Sequence, residues 1–168
     1  MERDYDSWNV RKMADMPSPD EIGRTAVERA VARLGPRKVK TQKASVIYDR
    51  RVSSSLLSAF LSAISGPSVA RGVSFLKDRL NQKVFADGIN IVDDPFLEKA
   101  LGCRNHDGEG LPVERKLLIE NGELTRWLLN TASASQLGLQ PNGFASGGFG
   151  NPPGVGTSNT HIEAGAQS

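Results

Sequence analysis

Lys116-Leu117-Leu118-Ile119-Glu120-Asn121-Gly122-Glu123-Leu124-Thr125-Arg126-Trp127-Leu128-Leu129 contains two apolar runs around an Asn-Gly pair. Asn-Gly is the preferred centre of a type I′ turn, in which both central residues need positive φ, so this stretch predicts an antiparallel hairpin. Upstream, residues 88–93 read as a further strand, with Ile89 and Ile91 on one face. Downstream, residues 132–137 read as a short helix closed by Gly138.

The first half of the chain is helical in pattern. Ser18, Pro19 and Glu21 form a capping-box start, and Ile22, Ala26, Ala30 and Leu34 recur every four residues, with Val27 and Val31 widening the stripe. Gly35-Pro36 stops this helix, predicted over 19–34. Residues 44–49, Ala-Ser-Val-Ile-Tyr-Asp, read as a buried strand. Leu56, Leu57, Phe60, Leu61 and Ile64 then share one helical face, ended by Gly66-Pro67, and a second short helix is predicted over 69–80. Helices first and hairpin-linked strands later make this an α+β chain, a mixed domain with antiparallel hairpins and a few helices.

Composition removes several function classes. A formal net charge of +2 gives no global field for nucleic acid or an anionic membrane. The single cysteine, Cys103, excludes an internal disulfide framework and fits a reducing compartment. Apolar runs fall far short of a membrane span, and the first residues lack a signal-peptide pattern, so a soluble cytoplasmic protein is expected. Residues 140–168 are rich in Gly, Pro, Asn and Ser; they predict a loop or tail without a core of its own.

Candidate chemistry is thin. Cys103, His106, Asp107 and Glu109 are all metal-binding types, but structural zinc sites come as two paired clusters and here there is one; an acidic loop is the better reading. His161 is the other histidine. Ser74-Phe75-Leu76-Lys77 matches Ser-x-x-Lys without its companion motifs, so helix surface is expected. Asp93 and Asp94, at a strand end before Pro95, read as turn formers rather than acid–base catalysts. Arg33, Arg37, Lys38, Lys40, Lys43, Arg50 and Arg51 make a basic segment that can meet phosphates, yet no base-reading side chains are interleaved on a groove-entering helix.

Several ordered stretches resemble the TldD/PmbA family of microcin-processing metalloproteases and "modulators of DNA gyrase", and its PmbA (TldE) branch in particular. They are Arg3-Asp4-Tyr5, the run from Leu34 to Val39, Thr41-Gln42-Lys43, the run from Ala70 to Asp78, Asp107-Gly108-Glu109-Gly110, Leu118 to Gly122, Leu128-Leu129, Ala134 and Gln136 to Leu139. The resemblance implies an internal fragment of a larger two-region fold. Residues 1–41 would end an N-terminal α/β region, and 44–168 would open the C-terminal domain, with a Gly-rich loop over 143–156. In the catalytic TldD branch a helix carries His-Glu-x-x-x-His. Setting the helix around Leu56–Ile64 on that motif puts Ser58, Ala59 and Ala63 where two zinc ligands and the general base would be. The resemblance therefore implies a subunit without catalytic residues, metal ligands or cofactor of its own. Its partner would be a zinc-bearing TldD-like paralogue, and its substrate unfolded peptide. Action on gyrase or nucleic acid through residues 33–51 is the alternative.

Overall fold

The computed structural model describes residues 1–147 and 150–165. The chain divides into two compact units, Met1–Ile47 and Tyr48–Ser168. In the first, a 3₁₀ turn at Met13–Asp15 precedes α1, Pro19–Ala32. The capping box forms as read: Ser18 Oγ accepts from Glu21 N, and Glu21 Oε2 accepts from Ser18 N. The N-terminal arm lies along the basic side of α1. Arg29 pairs with Asp6 at 2.6 Å and donates to Tyr5 O, while Arg33 pairs with Asp4 at 3.2 Å.

The second unit begins with α2, Arg50–Ala63, capped by Asp49, followed by α3, Gly66–Ala70. The expected strand over 44–49 is absent. That segment is irregular and exposed, with Ile47 fully so, because among the described residues no strand supplies partners for its backbone. The helix expected over 69–80 is also corrected. Pro67 opens α3 rather than merely ending α2, and the helix stops at Ala70 because Gly72 turns left-handed with φ 72°. Residues 71–90 then run through turns, and 81–85 fasten to the hairpin through Asn81 N to Leu124 O and Val84 N to Gly122 O.

Four strands form the main sheet in the order β3-β2-β1-β6, all antiparallel; they are β1 Ile91–Asp93, β2 Lys116–Glu120, β3 Glu123–Leu124 and β6 Thr160–Ile162. The Asn121-Gly122 turn is present, with φ 47° and 83°. All three β1 residues are buried, so β1 is covered on both faces and the expected alternation is lost. Helix α4, Thr131–Leu137, ends at left-handed Gly138 as its sequence dictates. The described residues of the stretch expected as a Gly-rich loop, 143–156, include regular structure. The stretch holds β4, Ala145–Ser146, and β5, Gly154–Val155, paired with one another, and Phe144 and Ala145 enter the core. Residues 148–149 of that stretch lie outside the described residues. The core joins Phe60 of α2 and Ile64, just past its end, to Leu118 and Ile119 of β2, with Trp127 and Phe144. Mixed helices and antiparallel sheets make the fold α+β.

A methyl at Gly122 would sit 2.5 Å from Phe85 O at a positive φ, so Gly122→Ala is expected to cost about 2–4 kcal/mol of stability. Urea unfolding of the full chain reads this, and a loss under about 1 kcal/mol contradicts the turn as described. Separately, the Glu21 carboxyl is held below its ordinary value, first by the Ser18 backbone N–H and then by the Ser18 hydroxyl. A lowered carboxylate stabilises above its unfolded pKa, and the benefit is lost as pH falls through the folded one. The amide signals at the start of α1 should therefore show an acid transition that Glu21→Gln abolishes.

Candidate functional site

The side chains singled out in the sequence are mostly committed to holding backbone. Ser74 is buried; its Oγ donates to Ala63 O at 2.6 Å and accepts from Leu76 N at 3.0 Å. It closes the end of α2, while Lys77 is exposed. Asp93, 3% exposed, accepts from Ser158 N, Ser158 Oγ and Thr160 Oγ1 at 2.8–2.9 Å. Asp94 accepts from Phe96 N and faces Arg115, which also pairs with Glu163 at 2.6 Å. The two carboxylates thus serve separate partners.

The loop of Cys103, His106, Asp107 and Glu109 is spent in the same way. Asp107 accepts from Glu109 N, Leu111 N and Ala145 N, and Glu109 accepts from Thr131 N and Thr131 Oγ1 at the start of α4. Cys103 Sγ donates to Leu97 O, and His106 sits exposed at an isolated bridge to Pro112. His161 lies on β6, its Nδ1 3.3 Å from Asn159 O. Among the described residues no three His, Cys, Asp or Glu side chains are grouped so as to hold a metal ion.

Ser58, Ala59 and Ala63 all lie on α2. Ser58 and Ala59 are exposed and Ala63 is buried at 8%. Ser58 and Ala63, five apart, are offset by roughly 140° at 3.6 residues per turn, while Ala59 and Ala63, four apart, share a face. A concavity of about 250 Å³ lies on a neighbouring part of the same helix. It is lined by Leu61, Ser62, Ser65, Ser68 and Leu128 together with residues 155–157. Sequence reasoning missed this groove, because its walls come from segments some ninety residues apart and nothing local marks their meeting.

The sequence profile of the PmbA/TldA metallopeptidase C-terminal domain matches residues 41–168. The chain belongs to the PmbA/TldD family. Metalloprotease PmbA of Escherichia coli O157:H7 is 40% identical over 147 residues, covering 88% of this chain and 33% of that protein. A metalloprotease of Methanothermobacter thermautotrophicus is 31% identical, covering 87% and 32%. Among solved structures, a candidate modulator of DNA gyrase from Thermotoga maritima superposes with a TM-score of 0.82 at 30% identity, over 95% of this chain and 36% of that one. TldE from Thermococcus kodakarensis matches with a TM-score of 0.58 at 27% identity, over 64% and 25%. The chain thus spans about a third of the curated relatives it matches.

The metalloprotease name of these PmbA/TldD relatives raises the question of zinc. Ser58, Ala59 and Ala63 offer one hydroxyl and two methyl groups, and the groove wall adds only hydroxyl and aliphatic groups. Zinc takes imidazole, thiolate and carboxylate, so these side chains do not fit it. No catalytic step is assigned to them.

If Ser74 is a helix-closing residue and not a nucleophile, Ser74→Ala should destabilise by about 1–3 kcal/mol. Lys77→Ala should stay within about 0.5 kcal/mol. A loss under about 0.5 kcal/mol from Ser74→Ala in thermal unfolding would contradict the helix-closing role.

Proposed function

We propose that this PmbA/TldD-family chain belongs to a non-catalytic, PmbA/TldE-like subunit of a cytoplasmic zinc-dependent peptidase that acts on unfolded peptides. The observation that carries the reading is α2. A helix bearing a zinc motif needs imidazoles and a carboxylate on an accessible face, and here that face is serine, alanine and leucine. The zinc and the general base then reside in a TldD-like paralogue, with which this subunit forms a hetero-oligomer. On this reading residues 1–41 end an N-terminal α/β region and 44–168 open the C-terminal domain. The subunit acts by packing and by shaping the enclosure in which peptide is cut.

Hydrolysis of an unstructured fluorogenic peptide in the presence of zinc tests this, using the full-length protein, the paralogue and the mixture. Activity is expected to require the paralogue and to rise on mixing. Zinc-dependent hydrolysis by this protein alone would overturn the proposal.

A second reading rests on the exposed basic residues Arg37, Lys38, Lys40 and Lys43, and on solved relatives described as candidate modulators of DNA gyrase. It requires DNA retention that weakens with salt and whose salt slope falls when the three lysines become Ala. Salt-insensitive or absent binding removes it.

A further inference from the structure

We propose that the turn over residues 71–79 docks an acidic, apolar segment of a partner protein, with Phe75 as its anchor. The observation is an aromatic side chain left in water on a fastened backbone. Phe75 is 80% exposed and Val73 70%, whereas Ser74 and Leu76 are buried. The alternation turns two apolar side chains outward and their neighbours inward. Ser74 Oγ ties the segment to Ala63 O and accepts from Leu76 N. Val73 N donates to Ser68 O, Lys77 N to Ser74 O and Arg79 N to Leu76 O. Moving Phe75 into the core of its own chain would break these bonds. The same bonds hold the turn ready, so its backbone has little freedom left to lose on binding.

The charges around the pair select the occupant. Arg71, Lys77 and Arg79 are exposed within four residues of Phe75, against one acid, Asp78. Arg79 donates to Gln82 Oε1, and among the described residues neither Arg71 nor Lys77 enters an ion pair. An apolar centre inside a basic rim complements aliphatic side chains flanked by carboxylates. A second copy of the chain fits poorly, because setting Phe75 against its own counterpart would bring two basic rims together. Anionic membranes are read by clusters of roughly four to eight cations, and here three stand beside an aspartate. Single-stranded nucleic acid stacks successive bases on several aromatics, and Phe75 is the one aromatic of this turn. The contact is independent of the subunit role proposed above.

Fluorescence anisotropy of the full-length protein with a labelled amphipathic peptide of leucine and glutamate tests the proposal. The same peptide with lysine for glutamate, and vesicles of phosphatidylserine and phosphatidylcholine, are measured beside it. The leucine–glutamate peptide should bind saturably, weaken as salt rises, and bind about tenfold less tightly to Phe75→Ser. Lys77→Glu should also weaken it and flatten the salt dependence. Val39→Ser, at an exposed apolar position between two lysines, should bind as the parent does. All three positions are exposed, so the variants should keep the parent's thermal midpoint. Four results would each overturn the proposal: no saturable binding below about 1 mM, binding that Phe75→Ser leaves unchanged or that Val39→Ser reduces equally, equal binding of the lysine peptide, or binding to vesicles in place of the peptide.

Discussion

Where α2 gives way to α3, Gly66 approaches Leu128 so closely that a side chain is excluded. A Cβ at Gly66 would stand 2.8 Å from Leu128 O and would collide with Ser133. The close approach permits two backbone hydrogen bonds, Gly66 N to Leu128 O and Leu128 N to Ile64 O, which join the helical corner to the segment following the hairpin. Much else depends on this junction. It seats Phe60 and Ile64 on the sheet, sets Leu61, Ser62 and Ser65 toward β5, and lets Asn130 and Ser133 close the start of α4 on each other. Ser74, by donating to Ala63 O, fixes the same corner from the other side.

The buried and half-buried polar groups follow a common pattern. Asp93, Asp107, Asn142 and Asn159 each bond to segments far away in sequence, and each satisfies backbone that would otherwise lie orphaned in loops. Lys116, 9% exposed, does likewise through Asn142 O and the Phe144 ring. Carboxylates and amides in such posts are poor candidates for chemistry. Moving a proton would release a loop.

Much of the fold was legible because its strongest signals are local. The Asn121-Gly122 turn, the Ser18–Glu21 box and the Gly138 stop each encode their geometry within four residues. Residues 44–49 misled because Val46, Ile47 and Tyr48 favour extended backbone whether or not a neighbouring strand exists. Residues 69–80 misled because apolar spacing alone does not show that Gly72 reverses the chain or that Ser74 turns inward. The stretch 143–156 looked featureless, yet Phe144 is 2% exposed; one aromatic in a Gly-rich run was the available sign. The groove was beyond local reading altogether, since it exists only once α2 and β5 are brought together.

In the proposed non-catalytic subunit, α2 carries serine, alanine and leucine where a catalytic paralogue would carry metal ligands. The most direct measurement is the zinc content of the full-length protein, purified without its paralogue, equilibrated with zinc and passed through a competing chelator. Far less than one zinc per chain is expected. A stoichiometric zinc that survives the chelator would contradict it.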